Sequence, residues 1–173
     1  KITGEVNQTG GFFGGARTYF KVDIGVNQYL RVFKKIVFAA RVKYGSIFGW
    51  EESYSDVQYE KFYLGGSSSL RGWDMLKFSQ EEDDSPMGDV IRLMINWEVR
   101  FPLFWIFGGE LFIDGGYLTD SFGNQSMDRM KWNGGFGISL LTPIIPFRID
   151  FAIPLEESQE DDEKFEWKIQ LGA

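Results

Sequence analysis

Apolar and polar residues alternate along most of this chain. In 35-KIVFAARVKY-44, Ile36, Phe38, Ala40, Val42 and Tyr44 fall on one side, and Lys35, Val37, Ala39, Arg41 and Lys43 on the other. In 89-DVIRLMINWEVRF-101, Ile91, Leu93, Ile95, Trp97, Val99 and Phe101 oppose Arg92, Met94, Asn96, Glu98 and Arg100. A period of two is that of a β-strand, whose successive side chains leave opposite faces. The same period runs through 18–32, 105–117, 131–141, 147–153 and 164–171, and more weakly through 1–8. Eight strands are predicted. Several reach ten residues or more, where five or six is usual for a soluble sheet and about 9–11 are needed to cross a bilayer at a tilt.

The polar face carries charges in mid-strand (Lys21, Asp23, Arg41, Glu98, Asp114, Asp150, Lys168), while the opposite face is almost continuously apolar. A soluble sandwich would hide the apolar face in a dry core. A transmembrane barrel would turn it to lipid and wet the other. Alternation fits both, and the connections favour the barrel. Short turns fall near 33–35, 102–104 and 142–146, and long connections near 9–16, 46–88, 118–130 and 155–163. Outer-membrane barrels have short periplasmic turns and long outer loops, which puts both termini on the short-turn side. Aromatics gather near strand ends, with Phe101, Phe104, Trp105 and Phe147 on the turn side and Tyr19, Tyr117 and Trp132 on the loop side. Two interfacial girdles are expected there.

Composition narrows the chemistry. The 173 residues include no Cys and no His, so thiolate metal sites, disulfides and His-based triads are excluded. Serines and carboxylates alone do not make an enzyme here, and no cofactor or metal is expected. A net charge of −7 argues against nucleic acid as a partner. No apolar run is long enough for a transmembrane helix, and the opening KITGEVNQTG is not a signal peptide. The acidic runs 81-EEDD-84 and 156-EESQEDDE-163 lack the spacing of a calcium loop and read as solvated loop tips.

One stretch asks for more, 61-KFYLGGSSSLRGWDML-76. On residues alone its arginine is either a solvated loop charge or an anchor. The segment FYLGGSSSLRGW resembles the signature FxxGGxxSxRG-aromatic of the Omp85 superfamily, the outer-membrane assembly and surface antigen D15 proteins. Three more stretches resemble that family in order: 97-WEVRFP-102, 112-FIDGG-116, and the last hairpin of 141-LTPIIPFRIDFAIP-154 with 165-FEWKIQLG-172. The aromatic after the RG pair is Trp73 where Phe or Tyr is commoner, and the chain ends Leu171-Gly172-Ala173 without the usual aromatic.

The resemblance implies an all-β architecture in which 1–173 corresponds to the last eight strands of a sixteen-stranded transmembrane antiparallel barrel; the POTRA domains usual in that family are not expected within 1–173, a departure from its pattern. The loop at 46–88 would fold inward. Its motif Leu70, Arg71, Gly72 and Trp73 would anchor it, with Asp114 and Glu98 on the lumenal wall as partners of Arg71, and Gly65 and Gly66 forming the turn. Alternation by itself puts Asp114 and Glu98 on the polar face of neighbouring strands, and a guanidinium fork suits carboxylates. The implied function is help in inserting or translocating polypeptides at a bacterial-type outer membrane. The implied partners are lipid, lipopolysaccharide and client polypeptides, with an N-terminal half or a second copy completing the pore. The alternative is a half barrel that dimerises into a passive pore or structural protein.

Overall fold

A computed structural model describes residues 1–9, 18–51, 55–79, 85–124, 129–140, 147–155 and 168–172. Its strands are β1 Ile2–Thr9, β2 Tyr19–Phe33, β3 Ile36–Phe48, β4 Ile91–Pro102, β5 Phe107–Thr119, β6 Lys131–Leu140, β7 Phe147–Pro154 and a five-residue β8 Lys168–Gly172. Each pairs antiparallel with the next, in the order β1 to β8. The all-β antiparallel expectation holds for the seven strands from Ile2 to Pro154. Their bounds differ from the sequence reading by a residue or two at most ends, and two of the differences have a clear cause. β3 continues past Tyr44 to Phe48, because Gly45 and Ser46 stay paired with β4. β5 begins at Phe107 rather than 105, because Trp105 takes a left-handed φ of 50° in the turn before it. Residues 164–167, the acidic runs 81–84 and 156–163, and the turn at 142–146 lie outside the described residues.

The register lines up like with like. Leu30, Phe38, Val99, Leu111, Phe136 and Phe151 are successive cross-strand partners, forming an apolar row from β2 to β7. The opposite face shows three rows, two rich in charged and amide side chains and one between them with a single carboxylate. One runs Asn27, Arg41, Asn96, Asp114, Asn133, and the next Tyr29, Ala39, Glu98, Phe112, Gly135, Ala152. The third runs Arg31, Val37, Arg100, Glu110, Gly137, Asp150. Because the side-chain period is two, a slip of one residue at any hairpin would send a charged row to the apolar face.

The segment between β3 and β4 packs on the polar face. A backbone bridge pairs Phe62 with Asp89, with N–H···O distances of 2.9 and 3.0 Å. Phe62, Leu64, Leu70 and Phe78 of this segment bury against Ile47, Met94, Leu118 and Met130. The polar face is thus divided: an apolar cluster covers its loop-side half, and charged rows occupy its turn-side half. Tyr19, expected in a loop-side girdle, is instead 6 % exposed within that cluster, and Tyr117, on the face of Leu93 and Ile113, is 5 % exposed. For Tyr19 the reason is parity, since it shares the face of Lys21 and Asp23.

Gly45 lets this cluster form. A Cβ there would stand 2.5–2.9 Å from the Phe62 ring. Gly45→Val is expected to expel Phe62 and destabilise the fold by about 1–3 kcal/mol. The check is the urea-unfolding midpoint in detergent, with Gly45→Val/Phe62→Ala losing less than the sum of the single variants.

Candidate functional site

The loop tip is shaped by local chemistry. Gly65 and Gly66 have φ of 108° and 96°, a region open to glycine at little cost. The Ser69 hydroxyl accepts from the Gly65 N–H at 2.9 Å and donates to the Gly65 carbonyl at 2.8 Å. The Gly66 N–H donates to the Trp73 carbonyl at 3.0 Å, and the Phe78 N–H to the Leu64 carbonyl at 3.2 Å. These bonds close the loop on itself and project Leu70 to Trp73 at the sheet. Leu70 is fully buried and lies over Gly116. Gly72 has φ 104°, and a Cβ there would sit 3.3 Å from Asn133 Cβ and 3.5 Å from Ala152 Cβ, so the backbone lies against β6 and β7. Trp73 is half-buried, its ring 5.3 Å from that of Phe78.

Arg71 enters the polar rows at their centre. Its Nε and Nη2 donate to the two oxygens of Asp114 at 2.8 and 2.7 Å, and its backbone N–H donates to Asp114 Oδ2 at 3.2 Å. Nη1 donates to Glu110 Oε1 at 2.9 Å, and Nη2 pairs with Glu98 Oε1 at 2.9 Å. The guanidinium carbon stands 3.6 Å over the Phe112 ring centroid. Arg71 is 2 % exposed and Asp114 0 %. Burial by itself lowers the arginine's proton affinity. The Asp114 hydrogen bonds and the charges of Asp114, Glu98 and Asp150 outweigh it, so the group is held charged more firmly than a free arginine. The structure therefore brings together Arg71, Asp114 and Glu98, while Leu70 and Gly72 pack around them. Gly65 and Gly66 stand at the base of the tip, and Trp73 beside it.

Residues not singled out in the sequence complete the arrangement. Glu110 is the third carboxylate on Arg71. Arg41 donates to the Ser68 carbonyl at 3.0 Å, Arg148 to the Ser67 carbonyl at 3.0 Å, and Asn96 to the Ser69 carbonyl at 2.7 Å. Three consecutive loop carbonyls are thus held from β3, β4 and β7. Arg100 backs Glu98 at 2.8 Å, and Arg148 backs Asp150 at 2.7 Å. The signal for Glu110 was present: it shares the face of Asp114 in 110-ELFID-114. On the turn side of the tip lies a cavity of about 240 Å³ bordered by Tyr29, Arg41, Ser68, Glu98, Arg100 and Arg148. The carboxylates are engaged by arginines, and the arrangement is one of attachment rather than of reaction.

A meandering sheet with one apolar face, one charged face and a long loop pinned to the charged face defines the class: the wall of an outer-membrane β-barrel. The Omp85 superfamily domain matches residues 1–173, and the chain belongs to that superfamily of outer-membrane barrels, a non-enzymatic domain. The chain is 26 % identical over 171 residues to "Outer membrane protein assembly factor BamA" of Nitratidesulfovibrio vulgaris (strain Hildenborough), with 92 % of this chain and 21 % of that protein covered. Its fold is similar to the crystal structure of BamA from Haemophilus ducreyi lacking POTRA domains 1-3, with a TM-score of 0.69 and 16 % identity over 95 % of this chain and 39 % of that one. The chain spans about a fifth of the length of the curated relative it matches.

Removing Arg71 would leave the buried Asp114 without its ion-pair partner and take one cation from each of Glu98 and Glu110. Arg71→Ala is expected to cost about 3–5 kcal/mol and to open the loop to trypsin at Lys61 and Lys77. Arg71→Lys keeps the charge but loses the fork, and should recover only part of the loss. Unfolding midpoints and trypsin cleavage rates of the folded protein check this. Values equal to wild type for both variants would remove Arg71 as the anchor.

Proposed function

We propose that this chain forms part of the wall of a closed barrel, resembling the last eight strands of sixteen. In this reading the loop at 46–88 lies in the lumen, and the barrel assists insertion or translocation of polypeptides at the outer membrane. The observation that carries the reading is the pinning of Arg71 to Asp114, Glu98 and Glu110 across β4 and β5. Such a clamp fixes a loop inside a wall whose other face is apolar. Family membership and likeness to an outer-membrane protein assembly factor support the same reading. Among the described residues, the outer edges of β1 and β8 have no strand beside them. Backbone groups cannot stay unpaired in hydrocarbon, so further strands, from the same protein or a second copy, complete the barrel. Clients would be unfolded outer-membrane or secreted polypeptides, received by pairing along a strand edge. Lipid and lipopolysaccharide would surround the wall.

The test uses the whole protein carrying this chain, reconstituted in vesicles with an unfolded barrel protein as client. Wild type should speed client folding. Arg71→Ala, in preparations shown to be folded, should lose about tenfold, the factor that corresponds to 1.4 kcal/mol. Ion conductance with no effect on client folding would overturn this reading in favour of a passive pore.

A further inference from the structure

The two short turns joining β2 to β3 and β4 to β5 lie side by side. Val37 is opposite Arg100 in the β3–β4 register, so Lys35 falls next to Pro102, one strand spacing away. Between them these turns expose an unusual set of side chains. Phe33 and the run Leu103, Phe104, Trp105 are all open, with Phe104 at 68 % and Trp105 at 86 % exposure. Trp105 holds a left-handed φ of 50°, unfavourable for a bulky residue. The turn is fixed by Leu103 N–H to Phe107 carbonyl and Phe107 N–H to Phe104 carbonyl bonds, both 2.9 Å, and by the Phe104–Phe107 ring contact at 5.1 Å.

The turn leans to one face. Gly109 is the cross-strand partner of Phe101, on the apolar side of the sheet. A Cβ on Gly109 would stand 2.7 Å from the Phe101 ring and 3.3 Å from Leu103 Cδ2. Leu103 therefore folds onto the apolar face rather than projecting from the sheet end. Beside this apolar tip, Lys34 and Lys35 are exposed and make no hydrogen bond or ion pair among the described residues. The carboxylates of the neighbouring strands, Glu98 and Glu110, are buried on the opposite face. In a chain of net charge −7, this corner is cationic.

We infer that Lys34, Lys35, Leu103, Phe104 and Trp105 form a docking surface for anionic phospholipid in the leaflet on the short-turn side. The aromatic and aliphatic side chains enter the boundary between headgroup and acyl chain, where indole and phenyl rings are favoured. The two ammonium groups reach the phosphates. Charge complementarity and continuity with the apolar face choose this occupant over a soluble protein. The inference rests on the reading that the apolar face meets lipid.

The test separates the two. The whole protein is reconstituted into phosphatidylcholine vesicles containing equal mole fractions of brominated phosphatidylcholine or brominated phosphatidylglycerol. The emission of Trp105 is taken as the difference between wild type and Trp105→Phe, and that of Trp97, on the apolar face, from Trp97→Phe. Trp105 should be quenched by both lipids and about twofold more by the anionic one. The preference should vanish in Lys34→Gln/Lys35→Gln. Trp97 should be quenched without headgroup preference. Equal quenching of Trp105 by the two lipids would overturn the anionic selection. Trp97 quenched while Trp105 stays open to aqueous iodide would overturn the docking surface alone, leaving that corner to water or a protein. If neither tryptophan were quenched, the membrane reading itself would fall.

Discussion

A guanidinium taken out of water has to have both its charge and its donors met, and carboxylates meet both. Arg71 is met by three, contributed by β4 and β5, and that requirement constrains everything around it. Asp114 and Glu110 sit four residues apart on one face of β5, with Phe112 between them under the guanidinium. Glu98 must stand across from Phe112, which it does only because β4 and β5 pair with Glu98 opposite Phe112. Shift that hairpin by one residue and one carboxylate set leaves the face. The anchor is thus a readout of register as much as of residue identity, and the register is in turn fixed by the apolar rows behind it.

The apolar face of this sheet carries many exposed large side chains, so it builds no core of its own. Here the loop supplies a substitute on the other face. Phe62, Leu64, Leu70 and Phe78 bring apolar surface to Ile47, Met94 and Leu118, and Phe62 finds room only over Gly45. Two cations, Lys21 and Arg92, lie over the same Phe62 ring at 4.8 and 4.7 Å, so the edge of this small core passes directly into the charged rows.

The strands were legible because period two needs no tertiary information, and Asp114 and Glu98 were legible because parity puts them on one face. Glu110 has the same parity, four residues from Asp114, yet parity names a face and not a neighbour, so nothing in the sequence alone pairs it with Arg71. Arg41, Asn96 and Arg148 come from β3, β4 and β7, far apart in sequence. That they hold Ser68, Ser69 and Ser67 follows from where the loop tip lands, and that is set by the Gly65–Ser69 closure and by packing over Gly116. Trp105 illustrates the other limit. Alternation began a strand at 105, whereas the local backbone turns left-handed there and delays pairing to Phe107. The missing girdle residue Tyr19 was readable in principle, since it shares the face of Lys21.

The division of labour along the loop carries one more consequence. Buried ion networks are poor stabilisers beside apolar contacts of the same volume, so holding strength alone would have been better served by extending the Leu64–Leu70–Phe78 cluster. What Arg71 adds is position. Apolar contacts tolerate sliding, whereas a fork with both oxygens of Asp114 on one edge and Glu98 and Glu110 on its remaining donors is satisfied in one place only. Arg41, Asn96 and Arg148 then bind carbonyls rather than side chains, which fixes the backbone of the tip whatever its serines do. The apolar half keeps the loop down, and the ionic half decides where.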